Sequence, residues 1–264
     1  MSSEDIIQYE VARKIATITI NRPQKAHAFN HEMLIAIHER LLEADKDENV
    51  RIILIKSTGE KFFCAGYDLS EVGLGDSKNV KKIIEFGRKV NETILLIKKP
   101  VVTQVQGIAI GFGFLMIMAS DLRIFADKPI DQLYLRLPEI AISAFPQTGA
   151  TLLPLLAFGV SYARNLLFTA DRIGLEDLKN LNFPSRIFPA DILELETRKF
   201  LKVLSKRQPE FLYFIKSMLN IMNKGYIESC FDLEDECGDV VYSKMSNNEL
   251  HEFVQNLHKK YPKR

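Results

Sequence analysis

The stretch from Pro100 to Asp121, PVVTQVQGIAIGFGFLMIMASD, decides the fold of this chain. It begins with a run rich in β-branched residues after Pro100, which is typical of a strand. Glycines follow, and the apolar run from Phe114 to Ala119 then predicts a helix with almost no solvent-exposed face. A strand, a glycine turn and a buried helix start together aim free backbone N–H groups at whatever lies before the turn. Two interpretations stay open at this point, namely close packing and the binding of a developing negative charge.

Two other interpretations of this stretch are disfavoured. The run from Gly107 to Ala119 is too short to span a bilayer, so we expect no membrane helix here. The glycines at positions 107, 111 and 113 do not form a GxGxxG pattern, and no GKS or GKT follows them. A phosphate-binding loop is therefore not supported.

Composition places the chain in a broad class. With 264 residues, 47% of them hydrophobic, the chain can form one large α/β domain or two small ones. A net charge of +1 disfavours a nucleic-acid partner. The opening MSSEDIIQYE has no secretory pattern, and Cys64, Cys230 and Cys237 show no CxxC spacing. We therefore predict free thiols and a cytoplasmic protein.

The residues before the central stretch predict helices packed on a sheet. The segments Ile6–Glu10 and Ile15–Ile20 have the pattern of a hairpin. Asn30 is a candidate N-cap for a helix with apolar residues at helical spacing. The segment Arg51–Lys56 is a continuous apolar strand of the kind found in parallel sheets, and a helix is predicted from about Val80 to Ile97. This order favours an α/β fold over a helical bundle.

The residues after the central stretch continue this pattern and then become helical. The segment LRIFAD predicts a strand, and the helix TLLPLLAFG is expected to end at Gly159, with Ser161 capping the next helix. A short strand is predicted at SRIFP. From about Pro189 the pattern is mainly helical, which indicates a C-terminal helical region.

Four stretches together resemble the crotonase superfamily, the enoyl-CoA hydratase/isomerase family. They are ITINRPQKAHAFN, FFCAGYDLSEV, the central stretch with its flanks, and LPEIAI followed by TADRIGLEDL. The resemblance covers nearly the whole chain. It implies an α/β, ClpP/crotonase-like fold of repeated ββα units, with a core over 1–188 and a C-terminal helical trimerisation region over 189–264. It also implies a homotrimer or a dimer of trimers.

The resemblance further implies an acyl-CoA substrate, with coenzyme A as part of that substrate. We predict no separate cofactor and no metal, membrane or nucleic-acid partner. In this family an enolate is stabilised by two backbone N–H groups, which fall here on Tyr67 and Phe112. The family often has glycine or alanine where Phe112 stands, and asparagine where His27 stands. The implied contacts to the substrate and its CoA moiety fall on Lys25, Ala26, Ala28, Ala65, Tyr67, Asp68, Leu69, Ser70 and Phe112.

The carboxylates favour one reaction of the family over another. Hydratases that resemble this chain use two glutamates to handle the protons of a water molecule. The first would stand where this chain has Leu115, and the second matches Glu139 in the pair Pro138-Glu139. Asp121 is the nearest acid to Leu115 along the chain, and it lies more than a helical turn away.

A single carboxylate beside an oxyanion hole supports a different proton transfer. Enoyl-CoA isomerases that resemble this chain use one glutamate at the position of Glu139 to move a double bond from C3 to C2. An apolar loop around Glu139, with Leu137, Ile140 and Ile142, would raise the pKa of its carboxyl. We therefore expect a Δ3-Δ2-enoyl-CoA isomerase. The alternatives are a hydratase, another one-carboxylate reaction such as decarboxylation or thioester hydrolysis, and a non-catalytic acyl-CoA-binding subunit.

Other residues are expected to have structural roles. The histidines at 27, 31 and 38 lack acidic or cysteine partners in a ligand pattern, so no metal site is predicted. Cys64 has no histidine placed to activate it and is expected to pack as a small side chain. The loop 73–79 is expected to shape the acyl pocket. The basic tail HKKYPKR is expected to be a solvated end, and contact of Lys259 or Lys260 with the CoA phosphates is the lesser alternative.

Overall fold

Two β-sheets with helices packed against them form the fold in a computed structural model that describes residues 6–72, 77–221 and 224–243. The strands are β1 (Ile7–Ala12), β2 (Ile15–Ile20), β3 (Ile52–Ser57), β4 (Phe62–Cys64), β5 (Val101–Val105), β6 (Ile108–Ile110), β7 (Leu122–Asp127), β8 (Tyr134–Arg136), β9 (Ile173–Gly174) and β10 (Arg186–Pro189). The helices are α1 (His31–Lys46), α2 (Leu69–Val72), α3 (Ser77–Leu96), α4 (Phe112–Ala119), α5 (Leu152–Thr169), α6 (Leu175–Asn180), α7 (Leu193–Leu204), α8 (Pro209–Ile221) and α9 (Lys224–Tyr242).

The larger sheet has six strands in the order β1-β2-β3-β5-β7-β10. The pair β1 and β2 is the antiparallel hairpin that the sequence predicts, and the other pairs of this sheet are parallel. All five residues of β5 are buried, as are Ile52–Ile55 of β3. Parallel strands have helices packed on both of their faces, so both sets of side chains are buried. This burial explains why the sequences of these strands are continuous apolar runs.

The smaller sheet has four strands in the order β4-β6-β8-β9. Its first three strands are parallel neighbours, and β8 pairs antiparallel with β9. Each of β4, β6 and β8 has only three residues. These short strands carry the loops in which the site residues lie.

The central stretch forms two strands in different sheets, which corrects the single strand read from sequence. A Cβ on Gly107 would overlap the carbonyl group of Lys61, so this glycine permits the close approach at which the chain leaves β5 and enters β6. Helix α4 begins at Phe112, two residues earlier than the apolar run suggests. The prediction of a fully buried helix is confirmed for every residue of α4.

Helix α1 begins as the sequence predicts. The side chain of Asn30 accepts a hydrogen bond from the backbone N–H of Met33 at 3.0 Å, which satisfies one of the free donors of the first turn. The buried positions of α1 are the apolar ones, and they pack on the large sheet and on α3. The prediction for this segment is therefore confirmed in both its start and its face.

Helix α5 is long and apolar enough to cross a membrane by length and composition alone, and within the described residues it is the one such helix. Its backbone leaves helical geometry at Gly159, where φ is 76° and ψ is 167°. This interruption confirms the predicted break. Leu152, Leu153, Pro154, Ala163 and Leu166 of α5 are buried inside the protein.

Helix α8 contacts the core through the polar side chains of Lys216 and Asn220. Lys216 of α8 donates hydrogen bonds to the carbonyl oxygen of Ile94 at 2.8 Å and to the carboxylate of Asp121 at 2.7 Å. Asn220 donates to the carbonyl oxygen of Leu95 at 2.7 Å. These bonds satisfy carbonyl groups at the end of α3, so the inner side of α8 is polar. Lys259 and Lys260, proposed from sequence as phosphate contacts, lie outside the described residues, as does the segment 73–76 of the predicted pocket loop.

Candidate active site

The small sheet brings the three predicted catalytic residues together. Tyr67 follows the end of β4, Phe112 follows the end of β6, and Glu139 follows the end of β8. Because these three strands are parallel neighbours, their carboxyl ends meet at one edge of the sheet. Residues that are far apart in sequence therefore meet through the pairing of three short strands.

A glycine turn exposes the first backbone donor. Gly111 adopts φ 52° and ψ −123° at the N-cap of α4, a conformation that suits glycine. Phe112 is the first helical residue, so its N–H has no partner within the helix. The N–H of Gly111 donates to the carbonyl oxygen of Arg136 at 2.9 Å, which ties this turn to the end of β8.

The loop that carries Tyr67 lies directly beside this turn. A Cβ on Gly66 would lie 2.9 Å from the carbonyl oxygen of Ile110 and 3.6 Å from the backbone nitrogen of Phe112. In the described parts of the chain, no backbone acceptor bonds the N–H of either Tyr67 or Phe112. Two adjacent free N–H groups in a buried site can stabilise a developing oxyanion. The predicted oxyanion pair is thus compatible with the geometry, and its role stays a prediction.

Glu139 presents its carboxyl to the same turn. It opens the short 3-10 helix Glu139–Ile142, and its Oε1 lies 3.2 Å from where a Cβ on Gly111 would stand. Its Oε2 is buried and has no hydrogen-bond partner among the residues that the structure describes. Burial raises the pKa of this carboxyl to about 7, and the nearby charge of Arg136 only partly opposes the effect.

The surroundings that bury Glu139 differ from the predicted ones. Leu137 is buried, but Ile140 and Ile142 are 54% and 52% exposed. The apolar residues that follow Glu139 therefore do not cover its carboxyl. Its Oε1 instead lies close to the turn at Gly111, a long-range contact that local sequence does not reveal.

A second carboxylate for the site is not available at the described neighbours. Leu115 is only 1% exposed and is part of the core. Asp68 is paired with Arg22, and Glu234 accepts hydrogen bonds from Gly149 and Thr151. Asp235 and Asp121 have charged partners as well, Arg88 and Lys216 respectively. Glu139 is thus the carboxyl of this group that keeps an unpartnered oxygen.

The predicted CoA loops are joined by backbone hydrogen bonds. The N–H of Ala65 donates to the carbonyl oxygen of Ala26 at 3.0 Å, and the N–H of Phe29 donates to Gly66 at 2.8 Å. The N–H of Asp68 returns a bond to the carbonyl oxygen of Phe29 at 2.8 Å. The two segments named from the resemblance therefore form one surface.

The predicted CoA-contacting side chains divide into exposed and buried ones. Lys25, Leu69 and Ser70 are exposed, whereas Ala28 and Asp68 are buried. Burial raises the pKa of Asp68, but the hydrogen bonds from Ser70 and the ion pair with Arg22 outweigh it, so the pKa lies below its ordinary value. The Asp68 carboxylate therefore braces the loop, which leaves the exposed side chains as the candidates for direct contact.

His27 takes a structural role. Its Nδ1 accepts a hydrogen bond from the N–H of Arg22 at 3.1 Å, and its Nε2 lies 2.8 Å from the carbonyl oxygen of Thr58. This pattern assigns the proton to Nε2, since only a ring N–H can bond a carbonyl oxygen. Burial lowers the pKa of His27, which keeps the ring neutral. The imidazole therefore links two loops beside the site.

Cys64 is a packing residue, as predicted. It is fully buried, and burial raises the pKa of its thiol to about 12. A Cβ on Gly113 would lie 2.6 Å from the Cβ of Cys64, so α4 packs tightly on β4 at this point. Among the described residues, no group of three His, Cys, Asp or Glu side chains is arranged to hold a metal ion.

Sequence reasoning misses three residues near the site, namely Gly87, Asn91 and Thr148. The Tyr67 ring stacks on the Phe112 ring at 4.9 Å between centroids, and its hydroxyl reaches Gly87 of α3, where a Cβ would overlap it. Asn91, one turn further along α3, donates a hydrogen bond to the carbonyl oxygen of Thr148 at 2.8 Å. The one available signal is Gly87 itself, an isolated glycine inside a helical pattern, which commonly has a packing reason.

Comparison with known proteins agrees with this geometry. The family described as enoyl-CoA hydratase/isomerase matches residues 10–261. A crotonyl-CoA hydratase of Syntrophomonas wolfei is 30% identical over 210 residues, covering 79% of this chain and 78% of that protein. A short-chain-enoyl-CoA hydratase of Clostridium acetobutylicum is 26% identical over 223 residues and 84% of both chains.

Solved structures show the same fold. An enoyl-CoA hydratase from Bacillus anthracis superposes with a TM-score of 0.77 at 23% identity, covering 98% of each chain. Another from Bacillus halodurans has a TM-score of 0.83 at 18% identity, covering 90% of this chain and 96% of that one. With the family match over nearly the whole sequence, these likenesses show that the chain belongs to the enoyl-CoA hydratase/isomerase family of the crotonase superfamily.

Proposed function

We propose that this enzyme is a Δ3-Δ2-enoyl-CoA isomerase that uses Glu139 as its single base. The observation that carries the proposal is the difference between two positions. One carboxyl oxygen of Glu139 has no hydrogen-bond partner among the described residues, whereas position 115, where a hydratase would have its other glutamate, is a buried leucine. Hydration needs groups that position a water molecule and transfer its protons, and two carboxylates suit that task. A double-bond shift needs one group that moves one proton.

The proposed reaction moves one proton and two electron pairs. Glu139 removes a proton from C2 of the 3-enoyl thioester, and the electrons of that C–H bond pass to the thioester oxygen as a dienolate. The N–H groups of Tyr67 and Phe112 stabilise the negative oxygen. The dienolate then takes the proton back from Glu139 at C4, which leaves the double bond between C2 and C3.

The raised pKa of Glu139 suits both halves of this reaction. A carboxyl whose pKa is about 7 is partly ionised at neutral pH and is a stronger base than an exposed glutamate. Its conjugate acid is also weak enough to hold the proton while the dienolate forms. One residue can therefore remove and return the same proton.

Hydration is the second candidate, because the relatives from Syntrophomonas wolfei and Clostridium acetobutylicum are named hydratases. Decarboxylation, thioester hydrolysis and acyl-CoA binding without turnover are the further alternatives on this scaffold. Leu115 separates the two leading candidates, since a hydratase with two carboxylates would need an acid at that position.

Product analysis tests the proposal. A 3-enoyl-CoA and crotonyl-CoA are each incubated with the wild type, Glu139→Gln and Glu236→Gln, the last being a control carboxylate on α9. We expect the wild type and the control to convert the 3-enoyl-CoA to its 2-enoyl isomer, and Glu139→Gln to lose at least about 100-fold in rate, the typical contribution of a general base. Hydration of crotonyl-CoA that is faster than isomerisation would overturn the isomerase assignment.

We also propose that the region 189–264 mediates assembly into homotrimers or paired trimers. Helix α8 supports this proposal because its outer face is apolar, and the exposed fractions of its side chains range from 53% to 68% at Phe211, Phe214, Ile215, Met218 and Leu219. An apolar helix face of this width is typical of a buried contact. Light scattering on Phe214→Asp, with Val11→Asp on β1 as a control outside this region, is expected to give smaller particles for the first variant alone.

The contacts to the CoA moiety are also proposals. We propose that Lys25, Leu69 and Ser70 contact the CoA moiety with their side chains, and that Ala26, Ala28, Ala65 and Asp68 contribute through their backbone. No separate cofactor is proposed. A cytoplasmic location stays a prediction from the use of cysteine.

A further inference from the structure

A buried carboxyl group of the C-terminal helix α9 reaches the start of α5. Glu234 is 4% exposed, and its Oε2 accepts a hydrogen bond from the N–H of Gly149 at 2.6 Å. Its Oε1 accepts bonds from the N–H and the hydroxyl of Thr151, at 2.8 and 2.5 Å. A buried carboxyl group is costly unless it is hydrogen-bonded, and both oxygens of this one are satisfied by one short loop. Glu234 therefore holds the loop 147–151.

The conformation of this loop explains why it needs a partner from outside. Thr148 and Gly149 both have positive φ, 63° and 94°, so the chain makes a tight turn just before α5. The side chain of Thr151, the N-cap residue of α5, makes no capping hydrogen bond to its own helix. The first N–H groups of a helix are free, and a carboxylate near them is favourable. Glu234 thus supplies the cap from another helix.

Other residues of α9 close over the same loop. A Cβ on Gly149 would lie 3.0 Å from the ring of Phe231, and a Cβ on Gly238 would overlap the side chain of Gln147. Phe231, Glu234 and Gly238 lie on one face of α9, because residues three and four apart are neighbours on a helix. This face of α9 therefore packs against the loop over two helical turns.

The inner side of the loop contacts the catalytic groups. The carbonyl oxygen of Thr148 accepts a hydrogen bond from Asn91 of α3 at 2.8 Å, and the Thr148 side chain is hydrogen-bonded to the phenol of Tyr67. The Tyr67 ring in turn stacks on the ring of Phe112 at 4.9 Å between centroids. The loop 147–151 thus lies between α9 on its outer side and the proposed oxyanion residues on its inner side.

We infer that Glu234 is a positioning residue for the oxyanion site, and that it acts through Thr148 on the loop that carries Tyr67. The inference rests on the proposed enolate chemistry, because that chemistry gives the Tyr67 N–H its role. Both oxygens of Glu234 are engaged by the loop 147–151, so Glu234 takes no proton in the reaction. A displaced loop would shift the Tyr67 N–H relative to the thioester oxygen, and stabilisation of an oxyanion depends on the distance to its donors.

Exchange of the C2 protons of butyryl-CoA in D2O tests the inference. The rate at saturating thioester is measured for the wild type, Glu234→Ala and Glu234→Gln, per binding site counted by calorimetry. We expect Glu234→Ala to exchange about ten-fold more slowly, because small displacements of a positioned group are costly in rate. Glu234→Gln should lie between the two, since its carboxamide oxygen still accepts hydrogen bonds. The dissociation constant of butyryl-CoA should change little in either variant.

Asp232→Asn is the matched control. Asp232 is an exposed carboxylate of the same helix, and it pairs with Arg88 of α3 at 2.7 Å. Arg88 keeps two other carboxylate partners when Asp232 is changed. We expect this variant to exchange at the wild-type rate. Slowing equal to that of Glu234→Ala would overturn the inference, because it would follow from looser packing of α9 alone.

A double-mutant cycle separates positioning from a general loss of stability. Thr148→Val keeps the shape of the side chain and removes the hydroxyl that bonds to Tyr67. Because Glu234 acts through Thr148, Glu234→Ala should slow the exchange much less in the Thr148→Val background than in the wild type. Two independent defects would instead multiply, since the effects of uncoupled sites add as free energies.

Each outcome supports or overturns the inference. Unchanged exchange per site in Glu234→Ala, or equal slowing with and without the Thr148 hydroxyl, would overturn it and leave Glu234 as a helix cap only. The same comparison is made with Glu234→Gln where Glu234→Ala yields no folded protein. A wild type that binds butyryl-CoA and exchanges nothing would overturn the proposed enolate chemistry together with the inference, whereas loss of isomerisation with exchange intact would leave the inference standing.

Discussion

The two sheets of this protein contribute in different ways. The large sheet has strands of four to six residues, of which β3 and β5 are almost wholly buried, and it forms much of the hydrophobic core. The small sheet is built from strands of two or three residues, yet three of its strands end next to Tyr67, Phe112 and Glu139. The comparison teaches that stability and chemistry are supplied by different sheets, so substitutions in the two should have separable effects.

The largest expected effect is on the oxyanion donor at the end of β6. Phe112→Pro removes the N–H at the first helical position, where proline is tolerated because that N–H has no helical partner. Phe112→Ala loses the same ring but keeps the donor, so it is the matched control. We expect kcat to be about 100 to 1,000-fold lower in the proline variant than in the alanine variant. Equal rates in the two variants would show that this N–H is not used.

A substitution in the large sheet should lower the stability of the protein and leave its catalytic rate almost unchanged. Ile53 lies in β3, is fully buried, and pairs with strands on both sides. Ile53→Ala is expected to lower the free energy of unfolding by about 2–5 kcal/mol, because it leaves a cavity in the core. The rate per folded molecule should change little. Denaturant unfolding and active-site titration measure the two quantities, and a selective loss of kcat would break the distinction between the sheets.

Glu139 should be a destabilising residue at neutral pH. Its carboxyl has a pKa of about 7 in the folded protein, above the 4.5 of an ordinary glutamate. The stabilisation that comes from its protonated form is complete below pH 4.5 and is lost as the pH rises to about 7. We expect Glu139→Gln to be more stable than the wild type by about 3 kcal/mol at pH 8, and equally stable near pH 4.5. Thermal unfolding at both pH values checks this, and a destabilised variant at pH 8 would contradict it.

The smallest expected effect is in the pH profile of the reaction. Glu139 must be ionised to remove a proton, so the rate should rise with pH and level off above about 7. At pH 6 we expect kcat/KM to be about ten-fold below its plateau, since that is one pH unit below the pKa. Rates from pH 5.5 to 8.5 give the profile. An apparent pKa near 4.5 would mean that Glu139 is solvated when it acts.

Sequence reasoning predicts the large sheet better than the small one. The hairpin of β1 and β2, the strand β3 and the cap at Asn30 have local signals, namely alternation, an apolar run and a capping side chain. The three-residue strands of the small sheet have no such pattern, because their identity depends on partners that are distant in sequence. The position of Glu139 is suggested by the family resemblance, but its contact with Gly111 and the hydrogen bond from Asn91 to Thr148 join residues that are distant in sequence.

The most direct test of the central claim is the exchange of the C2 protons of butyryl-CoA in D2O. This measurement asks whether Glu139 and the oxyanion donors act together, and it does not depend on which product follows. We expect the wild type to incorporate deuterium at C2, as followed by mass spectrometry, and Glu139→Gln to bind the thioester without exchange. Exchange that persists in Glu139→Gln, or a wild type that binds butyryl-CoA and exchanges nothing, would contradict the account.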